Sequence, residues 1–166
     1  MVNGFFGHSP NQPFQPKNGI IIPMIRIIAG GKKNPNWTAE ACNEYEKRLR
    51  KPYEISWNCM SEEKLEKYLA NWPFTGHDFV ICCDERGQNI SSPEFARKLE
   101  NGFVAGKNII ILIGGAYGFA PDVRKKANLL WSFSNLVFPH YIARLIVVEQ
   151  IYRASQISSG TPYHHE

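Results

Sequence analysis

Runs of apolar residues alternate along the chain with segments whose apolar residues recur at helical spacing. The apolar runs predict five β-strands, over residues 24–29, 53–59, 79–83, 109–113 and 129–134. The third and fourth runs are unbroken apolar sequences, as expected of strands that are buried on both faces. Helical segments between successive strands favour a parallel arrangement. The pattern therefore predicts an α/β fold in which helices flank a parallel sheet.

Start and stop signals set the bounds of the predicted helices. Ser61 is an N-cap residue before two acidic residues, and Pro73 ends the helix that follows. Ser91, followed by a proline two positions later, opens another helix. Helices are predicted over residues 38–51, 61–72, from 91 onward, 122–128 and 140–157.

The last predicted helix is too apolar to lie free on a surface. Its apolar residues cover more than one helical stripe. They are Ile142, Leu145, Ile146, Val147, Val148 and Ile151. We therefore expect this helix to lie under other elements or to pack against a second subunit.

Residues 1–23 differ in composition from the rest of the chain. They contain four prolines, three glycines and one charged residue, Lys17, without a periodic apolar face. Such a segment cannot bury a core, so we expect a disordered leader. Met24 then opens the first strand, and the natural start could be Met24. We expect residues 24–166 to form one domain.

Composition and charge narrow the class of protein. No run approaches the roughly 18 apolar residues that span a bilayer, and the start lacks the features of a signal peptide. We therefore expect a cytoplasmic protein without a membrane partner. The four cysteines, Cys42, Cys59, Cys82 and Cys83, lack a C-x-x-C spacing and are expected to be reduced, buried thiols. A formal net charge of +4 is compatible with a polyanionic partner but does not identify one.

Two glycine-containing segments follow predicted strands. Gly114 to Gly118 lies where α/β sheets place their ligands, but it lacks the dinucleotide fingerprint and the residues of a phosphate loop. A tight turn is the alternative interpretation. Asp84-Glu85-Arg86-Gly87 is interpreted as a turn that closes the preceding strand, and its charges could be catalytic, ribose-binding or part of turn chemistry.

Residues 132–140 form an apolar segment with turn-prone serine and asparagine near its centre. A buried loop of this kind offers main-chain groups that suit adenine recognition. At the C-terminus of the chain, Tyr163, His164 and His165 form a group whose aromatic and imidazole rings suit an RNA base. A frayed terminus is the alternative. No spacing indicates a catalytic metal site.

Residues 24–166 resemble the RlmH family of the SPOUT superfamily. The resemblance lies in six motifs that occur in the same order. They are Asp84-Glu85-Arg86-Gly87, Ile113-Gly114-Gly115-Ala116-Tyr117-Gly118, Phe138-Pro139-His140, Ala143-Arg144, Glu149 to Ala154, and Pro162-Tyr163-His164-His165-Glu166. Members of this family methylate N3 of a pseudouridine in bacterial large-subunit ribosomal RNA, at position 1915 in helix 69 of the 23S molecule.

The resemblance implies a fold, a cofactor and a partner. It implies a parallel sheet whose carboxyl-terminal part is tied in a deep trefoil knot, an exception to the rule against threaded chains. S-adenosylmethionine would bind among three knot loops without a metal. These map here to Cys83, to Gly114 and to the segment Phe133, Ser134, Asn135, Leu136, Val137 and Phe138. Cys83 and Val137 stand where leucine and threonine are expected.

The resemblance also implies a homodimer that acts on 23S ribosomal RNA in the large subunit or in the assembled 70S ribosome. The helix from His140 would form the subunit contact, and the tail would reach the partner's cofactor. Transfer to the imide nitrogen requires loss of a proton. His164 and His165 are candidate bases. Arg144, Arg153 and Tyr163 are candidates for holding phosphate or the developing anion.

Three alternatives remain open from the sequence. They are a SPOUT enzyme with another RNA target, a small α/β dehydrogenase, and a non-catalytic ribosome-binding assembly factor. The missing dinucleotide fingerprint disfavours the dehydrogenase. A pure binding protein would have no need of three cofactor loops.

Overall fold

The computed structural model describes residues 24–31, 33–72, 74–115 and 118–163. The predicted leader, residues 1–23, lies outside the described residues. Five strands and five helices follow one another in the described chain. They are β1 (Ile25–Gly30), α1 (Asn36–Glu46), β2 (Ile55–Met60), α2 (Glu62–Ala70), β3 (Asp78–Asn89), α3 (Ser92–Val104), β4 (Asn108–Ile113), α4 (Pro121–Lys126), β5 (Leu129–Ser132) and α5 (His140–Ser158).

The strands form one parallel sheet, which confirms the predicted α/β architecture. Their order across the sheet is β2-β1-β4-β3-β5, and every pairing between neighbours is parallel. Because the strands are parallel, all five carboxyl ends lie along one edge of the sheet. The loops after β3, β4 and β5 are therefore neighbours in space.

Side-chain alternation along the strands produces two cores. On one face, Ile27, Ile81 and Ile111 pack under α1, α3 and α5. On the other, Ile28, Cys82 and Leu112 pack under the shorter helices. Adjacent Cys82 and Cys83 point to opposite faces of the sheet. All four cysteines are free, but Cys59 is exposed because it lies on the edge strand β2, so the expectation that every thiol is buried was wrong.

Local hydrogen bonds account for the helix starts that the sequence predicts. The Ser61 hydroxyl accepts a hydrogen bond from the Lys64 amide at 3.4 Å. Ser91 and Glu94 form a reciprocal capping box at the start of α3, and Pro93 occupies the first turn. These caps satisfy amides that no residue of the same helix can reach.

Two predicted boundaries were wrong. The first helix ends at Glu46 rather than near residue 51, and the Arg50 guanidinium donates to the carbonyl oxygens of Lys47 and Leu49 in the turn that follows. The segment from Asp84 to Gly87 does not close a strand. It continues β3 to Asn89, with a register shift against β5 between Cys83 and Gln88.

Gly87 is required by this irregular pairing. A Cβ atom there would lie 2.5 Å from the carbonyl carbon and 2.6 Å from the carbonyl oxygen of Leu130. The main chains of β3 and β5 thus approach too closely for any side chain. Separately, no helix among the described residues is long and apolar enough to cross a membrane.

Candidate functional site

A cavity of about 740 Å³ opens at the carboxyl ends of β3, β4 and β5. Three segments form most of its wall. Residues 83–86 come from β3, Ile113 ends β4 and is followed by Gly114 and Gly115, and a third segment runs from Trp131 to His140. The volume lies within the range of small-molecule sites, and open α/β sheets bind ligands at this edge. The position therefore marks the candidate site.

Most of the residues that the resemblance assigns to cofactor binding meet at this cavity. Seven of the eight line it. They are Cys83, Gly114, Phe133, Ser134, Leu136, Val137 and Phe138. Asn135 belongs to the same loop but is not among the lining residues. Three segments that are far apart in sequence are thus brought together as expected.

The β3 segment contributes both a thiol and charged groups to the wall. Burial raises the pKa of the Cys83 thiol well above its ordinary value, and neighbouring Cys82 and Asp84 act in the same direction. This thiol is therefore protonated and is not a nucleophile at neutral pH. The Asp84 side chain is 2% exposed. Its Oδ1 accepts the Arg86 amide at 3.0 Å, and its Oδ2 lies 3.6 Å from Nη1 of Arg124.

Glycines after β4 bring the main chain close to the cavity. A Cβ atom at Gly114 would lie 3.2 Å from the Phe119 ring and 3.3 Å from the main chain of Gly118. At Gly115, a Cβ atom would overlap the Glu62 side chain at the start of α2. Both positions are therefore closed to larger residues unless neighbouring groups move.

Aromatic packing and serine hydrogen bonds hold the third segment in place. The Trp131 ring stacks on Phe95 with centroids 4.3 Å apart, and Phe133 meets Trp131 edge-on at 4.7 Å. The Ser132 hydroxyl donates to the Ser134 carbonyl at 2.9 Å, and the Ser134 hydroxyl accepts the Leu136 amide at 2.9 Å. Leu136 and Val137 project outward, with 69% and 82% of their surface exposed.

Arg144 lies in the protein interior rather than on the cavity wall. Its side chain is almost fully buried, and burial lowers its pKa. Nη1 donates to Oδ1 of Asn34 at 2.6 Å, and Nη2 donates to the Gly30 carbonyl at 2.8 Å. These bonds join α5 to the loop between β1 and α1. Arg144 thus links two elements in the interior and is not among the residues that line the cavity.

Tyr163, which lies beyond the end of α5, packs against Arg153 and Tyr152 on the distal half of that helix. The Arg153 guanidinium bonds Oε1 of Glu149 at 2.6 Å and lies 5.0 Å from the centre of the Tyr163 ring. That ring also meets Tyr152 edge-on at 4.9 Å. Desolvation, with further contributions from the Tyr45 hydroxyl, raises the pKa of Tyr163 to about 12. The phenol is therefore a hydrogen-bond donor at neutral pH.

The remaining predicted tail residues, His164 and His165, lie outside the described residues. Within the described part of the chain, no group of three or more histidine, cysteine, aspartate or glutamate side chains is arranged to hold a metal ion.

Sequence reasoning missed several residues of the cavity wall. Trp131 and His140 line it beside the predicted segment, and Ala143 closes it from the first turn of α5. From the sequence, Asp84 and Arg86 could be catalytic, ribose-binding or turn residues, and they were not assigned to the cofactor site. Their position directly after the apolar run 79–83 could have indicated a place at the ligand-binding edge of the sheet. Interpreting the segment as a turn drew attention away from that position.

Comparisons with known proteins agree with this geometry. The family described as predicted SPOUT methyltransferase matches residues 24–164. Three proteins, each named ribosomal RNA large subunit methyltransferase H, are similar over most of their length. The protein from Nitrosococcus oceani is 36% identical, covering 84% of this chain and 97% of its own. The protein from Caldicellulosiruptor bescii is 35% identical, covering 85% and 99%. The Prochlorococcus marinus protein is 39% identical, covering 84% and 94%.

Two solved structures share the fold. A methylase family protein from Haemophilus influenzae aligns with a TM-score of 0.54 at 14% identity, covering 89% of this chain and 72% of that one. A methylase family protein from Neisseria gonorrhoeae aligns with a TM-score of 0.51 at 12% identity, covering 92% of each chain. At such low identity the likeness concerns the fold alone.

Proposed function

This chain belongs to the SPOUT methyltransferase family, and from that premise we propose that it methylates N3 of a pseudouridine in bacterial 23S ribosomal RNA. Its similarity to proteins named ribosomal RNA large subunit methyltransferase H supports the RNA class. The observation that carries the proposal is the cavity where three predicted segments meet at the carboxyl ends of β3, β4 and β5. Such an enzyme would work on ribosomes in the cytoplasm.

The cavity suits S-adenosylmethionine in size and in chemistry. Phe133, Leu136, Val137 and Phe138 offer apolar surface to a flat purine, and Gly114 lets the ligand approach the main chain. We assign binding to these residues together with Cys83, Ser134 and Asn135. When bound, the cofactor supplies a methyl group on a positively charged sulfur. No metal is part of the proposal.

A trefoil knot would account for the way the third segment reaches the cavity. The chain leaves α4 on one face of the sheet, forms the edge strand β5, and returns through residues 133–139 to the cavity. It then enters α5, which packs with α1 and α3 on the opposite face. The knot belongs to the proposal, and this path supports it.

The tail supports a site shared between two subunits. His140 lies on the cavity wall at the start of α5, whereas Tyr163 packs on Tyr152 and Arg153. Twelve residues of helix separate His140 from Tyr152, which is about 18 Å. Tyr163 in this position cannot act at its own cavity. A homodimer would bring the tail of one subunit to the cavity of the other.

The outer surface of α5 offers a contact for that second subunit. Ile142 and Ile146 are only partly buried and stand one helical turn apart. Glu149 and Arg153 follow on the same side and are joined by their ion pair. A second subunit that packs its own α5 here would cover Ile142 and Ile146. Glu149 and Arg153 would then lie beside the tail.

The predicted catalytic residues would divide the chemistry among binding, orientation and proton handling. We propose that the protonated phenol of Tyr163 and the guanidinium of Arg153 hold the imide or an adjoining phosphate. The imide proton would pass to His164 or His165. Arg144 acts as a positioning residue, since it joins α5 to the loop after β1. Positioning supplies most of the catalysis in such a displacement, within the about 7 to 11 kcal/mol that proximity can provide.

Equilibrium binding of S-adenosylmethionine to the purified chain tests the proposal. We expect saturable binding at one site per chain and transfer of the methyl group to ribosomes that lack it. Cofactor binding with transfer only to a different RNA would support a SPOUT enzyme with another target. Ribosome binding without any affinity for the cofactor would support the non-catalytic ribosome-binding factor instead.

A further inference from the structure

Two of the exposed large apolar side chains in the described part of the chain lie on the cavity wall, and a third is linked to it by ring contacts. Four large hydrophobic side chains are exposed among the described residues: Trp37, Val104, Leu136 and Val137. Leu136 and Val137 belong to the cavity wall. Val104 ends α3, at the opposite end of the sheet. Trp37 is 54% exposed, which is unusual for the largest apolar side chain.

Ring contacts connect Trp37 to the cavity. Trp37 lies in the first turn of α1 and meets Tyr141 edge-on, with centroids 5.9 Å apart and planes at 82°. Tyr141 in turn meets His140 at 5.7 Å, and His140 lines the cavity. Two ring contacts thus lead from the cavity wall to an exposed indole.

The loop before α1 is held in place from the interior. The buried guanidinium of Arg144 bonds Gly30 and Asn34, at either end of that loop. Because Arg144 and Tyr141 both belong to the start of α5, the same helix fixes both partners of the aromatic pair. Trp37 is therefore an exposed ring on a fixed support, which is what stacking requires.

We propose that Trp37 and Tyr141 form a stacking platform for an unpaired nucleotide next to the methylated base. This inference rests on the proposed function, since it assigns a second contact to the same RNA. Unpaired bases in RNA are recognised by stacking on aromatic side chains. The target base would enter the cavity while its neighbour lies on the indole.

The charge of the neighbouring loop and the side of α5 on which Tyr141 lies both favour RNA, rather than a second copy of the chain, as the partner that binds Trp37. Lys33 is exposed in the loop that precedes α1, where it suits a phosphate beside the stacked base. Tyr141 faces α1, whereas Ile142 leaves α5 about 100° further round the helix. The surface proposed for subunit contact is therefore not the one that carries Trp37.

Replacing Trp37 tests the platform. In Trp37→Ala we expect ribosomes lacking the methyl group to bind about 5- to 150-fold more weakly, the range expected when a stacking ring is removed. The KM for ribosomes should rise with little change in kcat, and affinity for S-adenosylmethionine should stay at the wild-type value. Trp37→Phe keeps a ring and should retain most of the affinity. Val104→Ala, an exposed apolar change distant from the cavity, should have no effect.

Intrinsic fluorescence provides a second readout. Stacking on a base should quench the Trp37 indole, so ribosomal RNA fragments should quench the wild type more than Trp37→Phe. Unchanged ribosome affinity in a folded Trp37→Ala variant would overturn the platform. So would a loss of affinity that follows dissociation of the dimer in sedimentation, because Trp37 would then be a protein contact. A wild-type protein that transfers no methyl group to any RNA would instead refute the proposed function.

Discussion

Gly114 lines the cavity at a position where the neighbouring groups leave little room for a side chain. A Cβ atom there meets the Phe119 ring at 3.2 Å and the Gly118 main chain at 3.3 Å, and a branched side chain would add atoms beside the cavity. We predict that Gly114→Val lowers affinity for S-adenosylmethionine at least about 10-fold. Crowding should cost about 1 to 3 kcal/mol of stability, and the dimer should persist.

Gly76→Val is the matched control. A Cβ atom at Gly76 would meet no heavy atom within 4 Å, and the position has ordinary backbone angles. Calorimetric titration and thermal unfolding of both variants check the prediction. Undiminished cofactor affinity in folded Gly114→Val would remove this loop from the site.

Tyr163 leads to a prediction about pH. Desolvation raises its pKa to about 12, above the ordinary value of about 10. The folded chain therefore favours the neutral phenol, and the associated stability is present below pH 10 and is lost as pH rises through 12. The phenol donates a hydrogen bond at neutral pH and does not take a proton.

The rate of methyl transfer should consequently rise with the deprotonation of an imidazole, near pH 6.5, and then stay level to about pH 9. Tyr163→Phe should lower the rate without altering that profile. Single-turnover rates of the wild type and of Tyr163→Phe, measured across this pH range, check the prediction. A profile whose midpoint moves in Tyr163→Phe would mean that the phenol itself carries the proton.

Residue roles were harder to predict than residue positions. The resemblance singled out Cys83, Gly114 and the 133–138 loop, most of which line the cavity, because they lie in or directly after strands that the apolar pattern makes evident. It could not indicate that Arg144 is buried, since its partners Gly30 and Asn34 are more than a hundred residues away in sequence. Long-range partners of one side chain leave no local pattern.

At the scale of elements, α5 joins the two halves of the proposed site. Its first residue lines the cavity, and its distal half supports the tail. We predict that deleting residues 163–166 spares cofactor binding and dimerisation but eliminates methyl transfer. Tyr163 contributes ring contacts with Tyr152 and Arg153, so its loss should cost only about 0.5 to 1.5 kcal/mol.

Three measurements on one preparation check the prediction. Titration with S-adenosylmethionine reports cofactor binding, sedimentation reports dimerisation, and a transfer assay reports methylation. Tyr163→Phe, which keeps the ring, is a control for the packing contribution. Retention of full transfer activity by the shortened chain would exclude the tail from the chemistry.

The helices and strands could be predicted from the periodicity of apolar residues and from the helix-capping residues. The bounds of α5 and the start of α3 were predicted closely, because a proline precedes His140 and Ser91 forms a capping box. The extension of β3 through Asp84 to Gly87 was not predicted. Its charged residues are typical of turns, but the residues that flank them, Cys83 and Gln88, both pair with β5. Tertiary contact thus overrode local preference.

At the scale of the whole molecule, the site is predicted to be complete only when two chains associate. A mixture of Gly114→Val with the chain lacking residues 163–166 should regain part of the activity. In a mixed dimer, the intact tail of the first would serve the intact cavity of the second. The trefoil knot stays a prediction at this scale.

Mixed dimers can be isolated with two different affinity tags, so that their formation is demonstrated independently of activity. If both parent variants are inactive and the purified mixed dimer is also inactive, the tail does not act across the subunit boundary. Recovery of up to about half of the wild-type rate is expected, since each mixed dimer contains one complete site of two.

Mapping the transferred methyl group tests the central claim most directly. Ribosomes lacking the modification would be incubated with the protein and S-adenosylmethionine carrying an isotopically labelled methyl group, and the 23S RNA would be digested for nucleoside mass spectrometry. We predict one label per ribosome, on N3 of a single pseudouridine, absent with Gly114→Val. Label on another nucleoside, or none from a protein that binds the cofactor, would contradict the account.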